Sequence, residues 1–146
     1  MATCFLDTNI LLRYLVGDNQ QMAEQALNLL MRVERGEEKV ITSSLVIFET
    51  IFTLQSFYKV PRLHIREQIL PIISLRGIHL PDKNLFYKAL DLYVTKNISF
   101  ADAYNVAYMI SEEVFNIYSW DKGFDKIDGI TRLEPQEVKN DQRHSR

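Results

Sequence analysis

Short apolar runs alternate along this chain with longer stretches whose apolar residues recur at helical spacing, a pattern that predicts βαβ units around a parallel sheet. Residues 3–6 read as the first strand and 10–15 as a short helix. Asp18 or Asn19 can cap the next helix, in which Met22, Ala23, Ala26, Leu27, Leu30 and Val33 share the helical period and which Gly36 ends. Residues 39–42 form a second strand, and Ser43 or Ser44 caps the apolar helix that follows. A helical stretch over 62–75 contains Pro71, which should bend or divide it. Residues 77–80 read as a minor strand stopped by Pro81, and Asp82 can cap the helix of Leu85, Phe86, Ala89, Leu90 and Tyr93. A helix over 99–113, a buried strand over 115–119 and an edge strand over 130–133 complete the pattern. Past Pro135 the residues are polar and aperiodic, so a folded unit over 1–135 and a mobile tail over 136–146 are expected.

Composition adds a setting. A chain of 146 residues is one domain by length, and one of this size buries roughly 70% of its unfolded surface. A net charge of −2 argues against a generally basic nucleic-acid binder, although a local basic rim is compatible with it. The single cysteine, Cys4, excludes an internal disulfide, suits a reducing compartment and reads as a small core residue in the first strand. No basic segment precedes a long apolar run, and no run reaches about 18 apolar residues, so a cytoplasmic protein with no membrane span is expected.

The candidate chemistry lies in four acids. Asp7 closes the first apolar run, and Asp121 follows the run at 114–118 by three residues. Glu49 is the only charged residue between Ile41 and Tyr58, and Asp102 lies in the first turn of the helix that Ser99 begins. In an open α/β sheet, ligands bind outside the carboxyl ends of the strands, where Asp7 and Asp121 fall. Carboxylates gathered there repel one another unless a cation holds them, and Mg²⁺ or Mn²⁺ prefers such oxygen ligands. Each acid also has a structural reading. Asp7 can cap the helix after it, Glu49 can lie on an exposed helix edge, Asp102 can complete a capping box with Ser99, and Asp121 can be a turn residue. In an almost uncharged helix, an enclosed Glu49 carries a desolvation cost unless it is paired, hydrogen-bonded or metal-bound.

Other chemistries lack parts. Five scattered glycines give no phosphate-cradling loop, no Gly-x-Ser-x-Gly elbow is present, and His64, His79 and His144 show no zinc spacing. The Phe and Tyr residues fall mostly at helical or strand spacing, which suits core packing better than a base-stacking platform. A phosphatase or receiver-like phosphoacceptor would want an Asp at a central strand end with a Lys at a later one, and neither is clear.

Four motifs then stand in order: Phe5-Leu6-Asp7-Thr8-Asn9, Glu49 in the apolar helix after the second strand, Ile98-Ser99-Phe100-Ala101-Asp102-Ala103, and Ser119-Trp120-Asp121-Lys122-Gly123-Phe124. Over about residues 3–133 the chain resembles the PIN-domain nucleases, and within them the VapC-type toxins. The resemblance implies a three-layer α/β/α sandwich around a short central parallel sheet, with Asp7, Glu49, Asp102 and Asp121 forming a metal-binding acidic pocket. It implies a Mg²⁺- or Mn²⁺-dependent ribonuclease that leaves 5′-phosphate and 3′-hydroxyl ends, with Asp7 and Asp102 as the expected direct ligands. Thr8, Asn9 and Ser119 match supporting polar positions, and Asp125 matches one that is acidic in only some members. Arg13, Lys122 and Lys126 lie near the motifs and could hold flanking phosphates. Tyr118 and Trp120 depart from the small or aliphatic residues expected before the last acid, and the helix with Pro71 is also unlike the family. An RNA-processing nuclease outside any toxin system, or a PIN-like binding module without catalysis, are the alternatives.

Large apolar side chains on two helices exceed what so short a sheet can cover. Phe48, Ile51, Phe52, Phe57, Leu63, Ile69, Ile72 and Ile73 point around more than one helix face, which predicts a partner surface unless they fill both layers of the sandwich. A homodimer is the expected solution, and the resemblance adds an antitoxin segment as a second partner.

Overall fold

The computed structural model describes residues 2–136. Strand β1 (Cys4–Phe5) is followed by α1 (Thr8–Val16) and α2 (Gln20–Glu34); β2 (Val40–Ile41) by α3 (Ser44–Ser56) and α4 (Arg62–Ile73); and β3 (Ile78–His79) by α5 (Lys83–Thr95) and α6 (Phe100–Ser111). Then come β4 (Asn116–Tyr118), a 3-10 helix (Lys122–Lys126) and β5 (Thr131–Leu133). All pairings are parallel, as the alternation predicts. β2 lies between β1 and β3, with Cys4 opposite Val40 and Val40 opposite Ile78. β4 and β5 pair with Ile117 opposite Arg132. The expected α/β/α class with short parallel strands therefore holds. The strands form a three-stranded and a two-stranded sheet, so β1 and β4 have one strand neighbour each.

Local sequence explains most element starts. The side chains of Asn19, Ser43 and Ser99 each accept a backbone N–H from the first turn of α2, α3 and α6, which satisfies a donor that the helix leaves free. Of the paired options, Asn19 and Ser43 do the capping, while Asp18 instead pairs with Arg13. Asp82 stands before α5 as expected, but it adopts a left-handed φ of 58° and its side chain makes no capping bond. Pro71 does not divide α4, which continues to Ile73. It falls in the last turn, where few backbone bonds remain to be lost. Gly77 is fixed by a close approach: a Cβ there would lie 2.4 Å from the Glu38 carbonyl oxygen and 2.7 Å from that of Val33.

Helices provide most of the core. Leu11, Ile47, Ile51, Ile65, Ile69, Phe86, Leu90, Tyr93 and Val106 are fully enclosed. The ring of Phe48 meets those of Phe86, Phe100 and Tyr104 at centroid distances of 6.1, 5.1 and 5.1 Å. Edge-on aromatic pairs add about 0.5–1.5 kcal/mol each beyond their burial, so this cluster ties α3 firmly to α5 and α6. Two burial expectations fail. Cys4 is exposed, and so are Asn116 and Tyr118 in β4, so these short strands show part of a side-chain face to solvent. The apolar helix residues divide: Ile51, Ile69, Ile72 and Ile73 fill the core, whereas Phe52, Phe57 and Leu63 are exposed. No helix among the described residues is long and apolar enough to cross a membrane. Of the tail expected at 136–146, residues 137–146 lie outside the described residues.

Candidate active site

Buried Leu6 anchors the end of β1, and the chain turns there into α1. Asp7 occupies the position before the helix, yet its side chain makes no capping bond, so capping does not account for it. Thr8, the next residue, is buried, and its hydroxyl donates to Glu49 Oε1 at 2.6 Å. That short bond to a carboxylate joins α1 to α3 and fixes the rotamer of Glu49. Glu49 itself is exposed, so the desolvation cost expected for it does not arise. Its neighbour Phe48 turns inward to the aromatic cluster and leaves Glu49 at the solvent edge of α3. A cavity of about 700 Å³ runs from Glu49 to the first turn of α6 at Ser99, Phe100 and Ala101, with Leu45, Phe52 and Arg62 among its walls.

Asp102 is half-buried in that first turn, and its backbone N–H donates to the Ser99 hydroxyl at 3.1 Å. Burial pushes its carboxyl above the usual carboxylate range against the pull of the Ser99 hydroxyl, and the adjacent Asp121 pushes it the same way by charge and by hydrogen bonding. Asp102 and Asp121 are thus direct neighbours, although 19 sequence positions separate them. Asp121 is held at three points around its own backbone. Its N–H donates to Ser119 Oγ at 2.9 Å, its Oδ1 accepts the Gly123 N–H at 2.8 Å, and Ser119 donates its own N–H to the Leu133 carbonyl. Gly123 was not evident as a supporting residue from sequence. A Cβ there would stand 3.0 Å from Asp121 Oδ1.

The other expected residues are distributed as follows. Asp125 meets Arg132 through two bonds, 3.0 and 3.4 Å long, and this pairing gives it a structural task. Arg132 also donates to the Ser119 carbonyl, so it braces the turn that carries Asp121. Lys122 and Lys126 are exposed on the 3-10 helix after Asp121, and Lys126 reaches the Asn97 carbonyl at 3.5 Å. Arg13 pairs with Asp18 at 3.2 Å and, together with Asn9, lines the groove between α1 and α2. Asn9 and Arg13 therefore border that groove.

Among the described residues, none of the four acids joins an ion pair, whereas Asp18, Glu37, Glu38, Asp91, Asp125 and Glu134 all do. Also among the described residues, no three His, Cys, Asp or Glu side chains converge to hold a metal ion. The quartet forms the Asp102–Asp121 pair, the Thr8-held Glu49 and the free Asp7. The physical reason is topological: Asp7 leaves β1 and Asp121 leaves β4, strands of different sheets. The donors are all carboxylate oxygens, which fit a hard divalent ion. Burial is the main cause of the raised proton affinity of Asp102, and the lesser push from Asp121 is negative charge that a cation would relieve.

These features define an α/β protein with acids at the carboxyl ends of parallel strands. The PIN domain model matches residues 4–130, and the chain belongs to the PIN domain family. Among solved structures it is similar to VapC20 of Mycobacterium tuberculosis, titled as a Sarcin-Ricin loop cleaving toxin. The two are 20% identical, the match covers 90% of this chain and 99% of that one, and the TM-score is 0.37. No curated protein matches.

Proposed function

We propose that the chain is a metal-dependent endoribonuclease that cuts RNA phosphodiester bonds at the edge marked by Asp7, Glu49, Asp102 and Asp121. The observation that carries this reading is the Asp102–Asp121 pair, two neighbouring carboxyls with no cationic side chain paired to either among the described residues. Family membership supports a nuclease. The nuclease unit is taken as residues 1–135. Asp102 and Asp121 would hold Mg²⁺ or Mn²⁺, and Asp7, the other direct ligand that the resemblance implies, would have to close on the ion, which when bound supplies positive field for the phosphate and acidifies a coordinated water. Ser99 orients Asp102, Ser119 and Gly123 orient Asp121, and Thr8 holds Glu49 ready to complete the set. Lys122, one residue past Asp121, is placed to contact a flanking phosphate.

We further propose that it serves as the toxin of a toxin–antitoxin pair in the cytoplasm and works as a homodimer. Support for a partner surface comes from Leu45, Phe52, Phe57 and Leu63, at least half-exposed on α3, at its end and at the start of α4. Sedimentation at micromolar concentration tests the dimer, and a mass that stays near 17.1 kDa at every concentration refutes it. The activity is tested with purified full-length protein on a structured RNA. Cutting should require Mg²⁺ or Mn²⁺, stop with EDTA, vanish in Asp102→Asn and persist in Asp91→Asn, whose carboxylate pairs with Arg66 on α4. Equal cutting by Asp102→Asn and the unaltered protein refutes the site.

A further inference from the structure

Most of the aromatic residues are in the core, as their spacing predicts, but Trp120 is not. The chain has one tryptophan, and it is 69% exposed. Phe115 and Tyr118, just before and at the end of β4, are also exposed. Trp120 is more exposed than either and lies past the strand, in the turn that carries Asp121. Among the described residues its ring has no aromatic partner and no cation over its face. An indole gains more from burial than almost any other side chain, so one left in water on an ordered backbone needs a cause.

The backbone on both sides of Trp120 is braced. The preceding Ser119 donates its N–H to the Leu133 carbonyl at 3.0 Å and receives Arg132 at its own carbonyl, also at 3.0 Å. The following Asp121 is tied to Ser119 Oγ and to the Gly123 N–H. The same bonds that aim the Asp121 carboxylate therefore fix the root of the indole one residue away. Polar Ser119 lies on one side, and Asp121 and exposed Lys122 lie on the other. The result is an exposed apolar plane on a braced backbone, set directly beside the charges of Asp121 and Lys122.

We propose that Trp120 stacks on an unpaired nucleobase beside the phosphate held at Asp102 and Asp121, and that it is thereby a specificity-determining residue. This rests on the ribonuclease reading above. Every base offers a flat π-face, and a charged backbone flanked by a stacking ring is how single-stranded nucleic acid is held. The site would thus favour RNA with a looped-out or single-stranded base next to the cut.

The sole tryptophan makes the test direct. Full-length protein is titrated with a fluorescein-labelled hairpin RNA in Ca²⁺, and RNA anisotropy and tryptophan emission are followed together. Emission should quench with the same midpoint as the anisotropy change. Trp120→Ala should weaken RNA binding about tenfold to a hundredfold, with the loss in cleavage assays appearing in KM, because stacking holds substrate and transition state alike. Trp120→Phe should recover most of the affinity, and Tyr108→Ala, an exposed ring on α6, should bind as the unaltered protein does. RNA binding with unchanged tryptophan emission and an unaffected Trp120→Ala would overturn the stacking role while the ribonuclease reading stands. Neither binding nor cutting by the unaltered protein would overturn both.

Discussion

Arg62 opens α4 and reaches the far end of α5, where its loss should show in both stability and activity. Its Nη1 donates to the Tyr93 carbonyl at 3.0 Å and also to the Ile98 carbonyl, while its guanidinium carbon lies 4.5 Å from the centre of the Tyr93 ring. The Ile98 carbonyl stands immediately before Ser99, the residue that caps α6 and orients Asp102. A hydrogen bond to a charged group contributes about 1.5–3 kcal/mol, and a partly exposed cation over a ring about 0.5–1 kcal/mol. Arg62 is half-buried, so the low end of each range applies to the two bonds and the ring contact, and Arg62→Met should cost about 3.5 kcal/mol. For a chain of this length each kcal/mol lowers Tm by about 2–4 °C, which predicts a fall of about 7–14 °C in scanning calorimetry. Arg62→Lys keeps a charge but loses the planar fork, and should lie about midway. Well below Tm, where both proteins are folded, Arg62→Met should cut RNA about tenfold to a hundredfold more slowly, since small misplacements of a reacting group have such effects. A Tm loss under about 2 °C would mean that water replaces the guanidinium at both carbonyls, and the bracing role would fall.

Thr8→Val removes the bond to Glu49 with little change of shape. Because Glu49 is exposed, water replaces that bond, and stability should fall by no more than about 1 kcal/mol, whereas cleavage should fall severalfold; undiminished cleavage would remove Thr8 from the site. Asp102 titrates above its usual range in the folded protein, so the fold binds its proton more tightly than the unfolded chain does. Its stabilising contribution is present below the ordinary carboxylate pKa and is lost as pH rises through the raised one. In EDTA, Asp102→Asn should therefore have the higher Tm at pH 7 and lose that advantage towards pH 3; the same Tm difference at both would exclude the carboxyl as its source. Gly77→Ala places a methyl against two backbone carbonyls, and urea unfolding should show a loss of about 1–3 kcal/mol or more. A neutral result would mean that β3 shifts without cost.

Helix starts were legible because a cap is a local device, and Asn19, Ser43 and Ser99 act within three residues of themselves. Strand positions were legible for a similar reason, since β1, β2, β3 and β5 each fall inside the apolar runs that predict them. Burial was less legible. Cys4 reads as a small core residue of the first strand, yet it is exposed while Leu6 is enclosed, because an apolar run reports strand preference and not which positions are covered. Asp82 also misleads: it has the right residue type at the right place, but a left-handed backbone turns its side chain away from the helix N–H groups. The near-uncharged surroundings of Glu49 suggested enclosure, whereas its helix shows one edge to solvent and keeps Phe48 on the inner side.

Sequence names four acids as candidates, the structure brings Asp102 and Asp121 together, and the arginines near them in the chain pair elsewhere. Arg13 is six residues from Asp7 in sequence, and Arg132 supports the turn that bears Asp121, so either could in principle neutralise the site. Arg13 instead pairs with Asp18, and Arg132 is shared between Asp125 and Glu134. The Arg13 pair is half-exposed and worth little in stability, so its consequence is chiefly electrostatic: it occupies a cation that the site could have drawn in. Arg132 makes the same point from the other side, because it supports Asp121 through the Ser119 carbonyl and leaves the Asp121 carboxylate alone. An anionic substrate meeting Asp102 and Asp121 in this state is repelled, and among the described residues no side-chain cation pairs with either to reverse the field. On the ribonuclease function proposed above, the demand for a divalent ion would arise from where the arginines go as much as from where the aspartates lie.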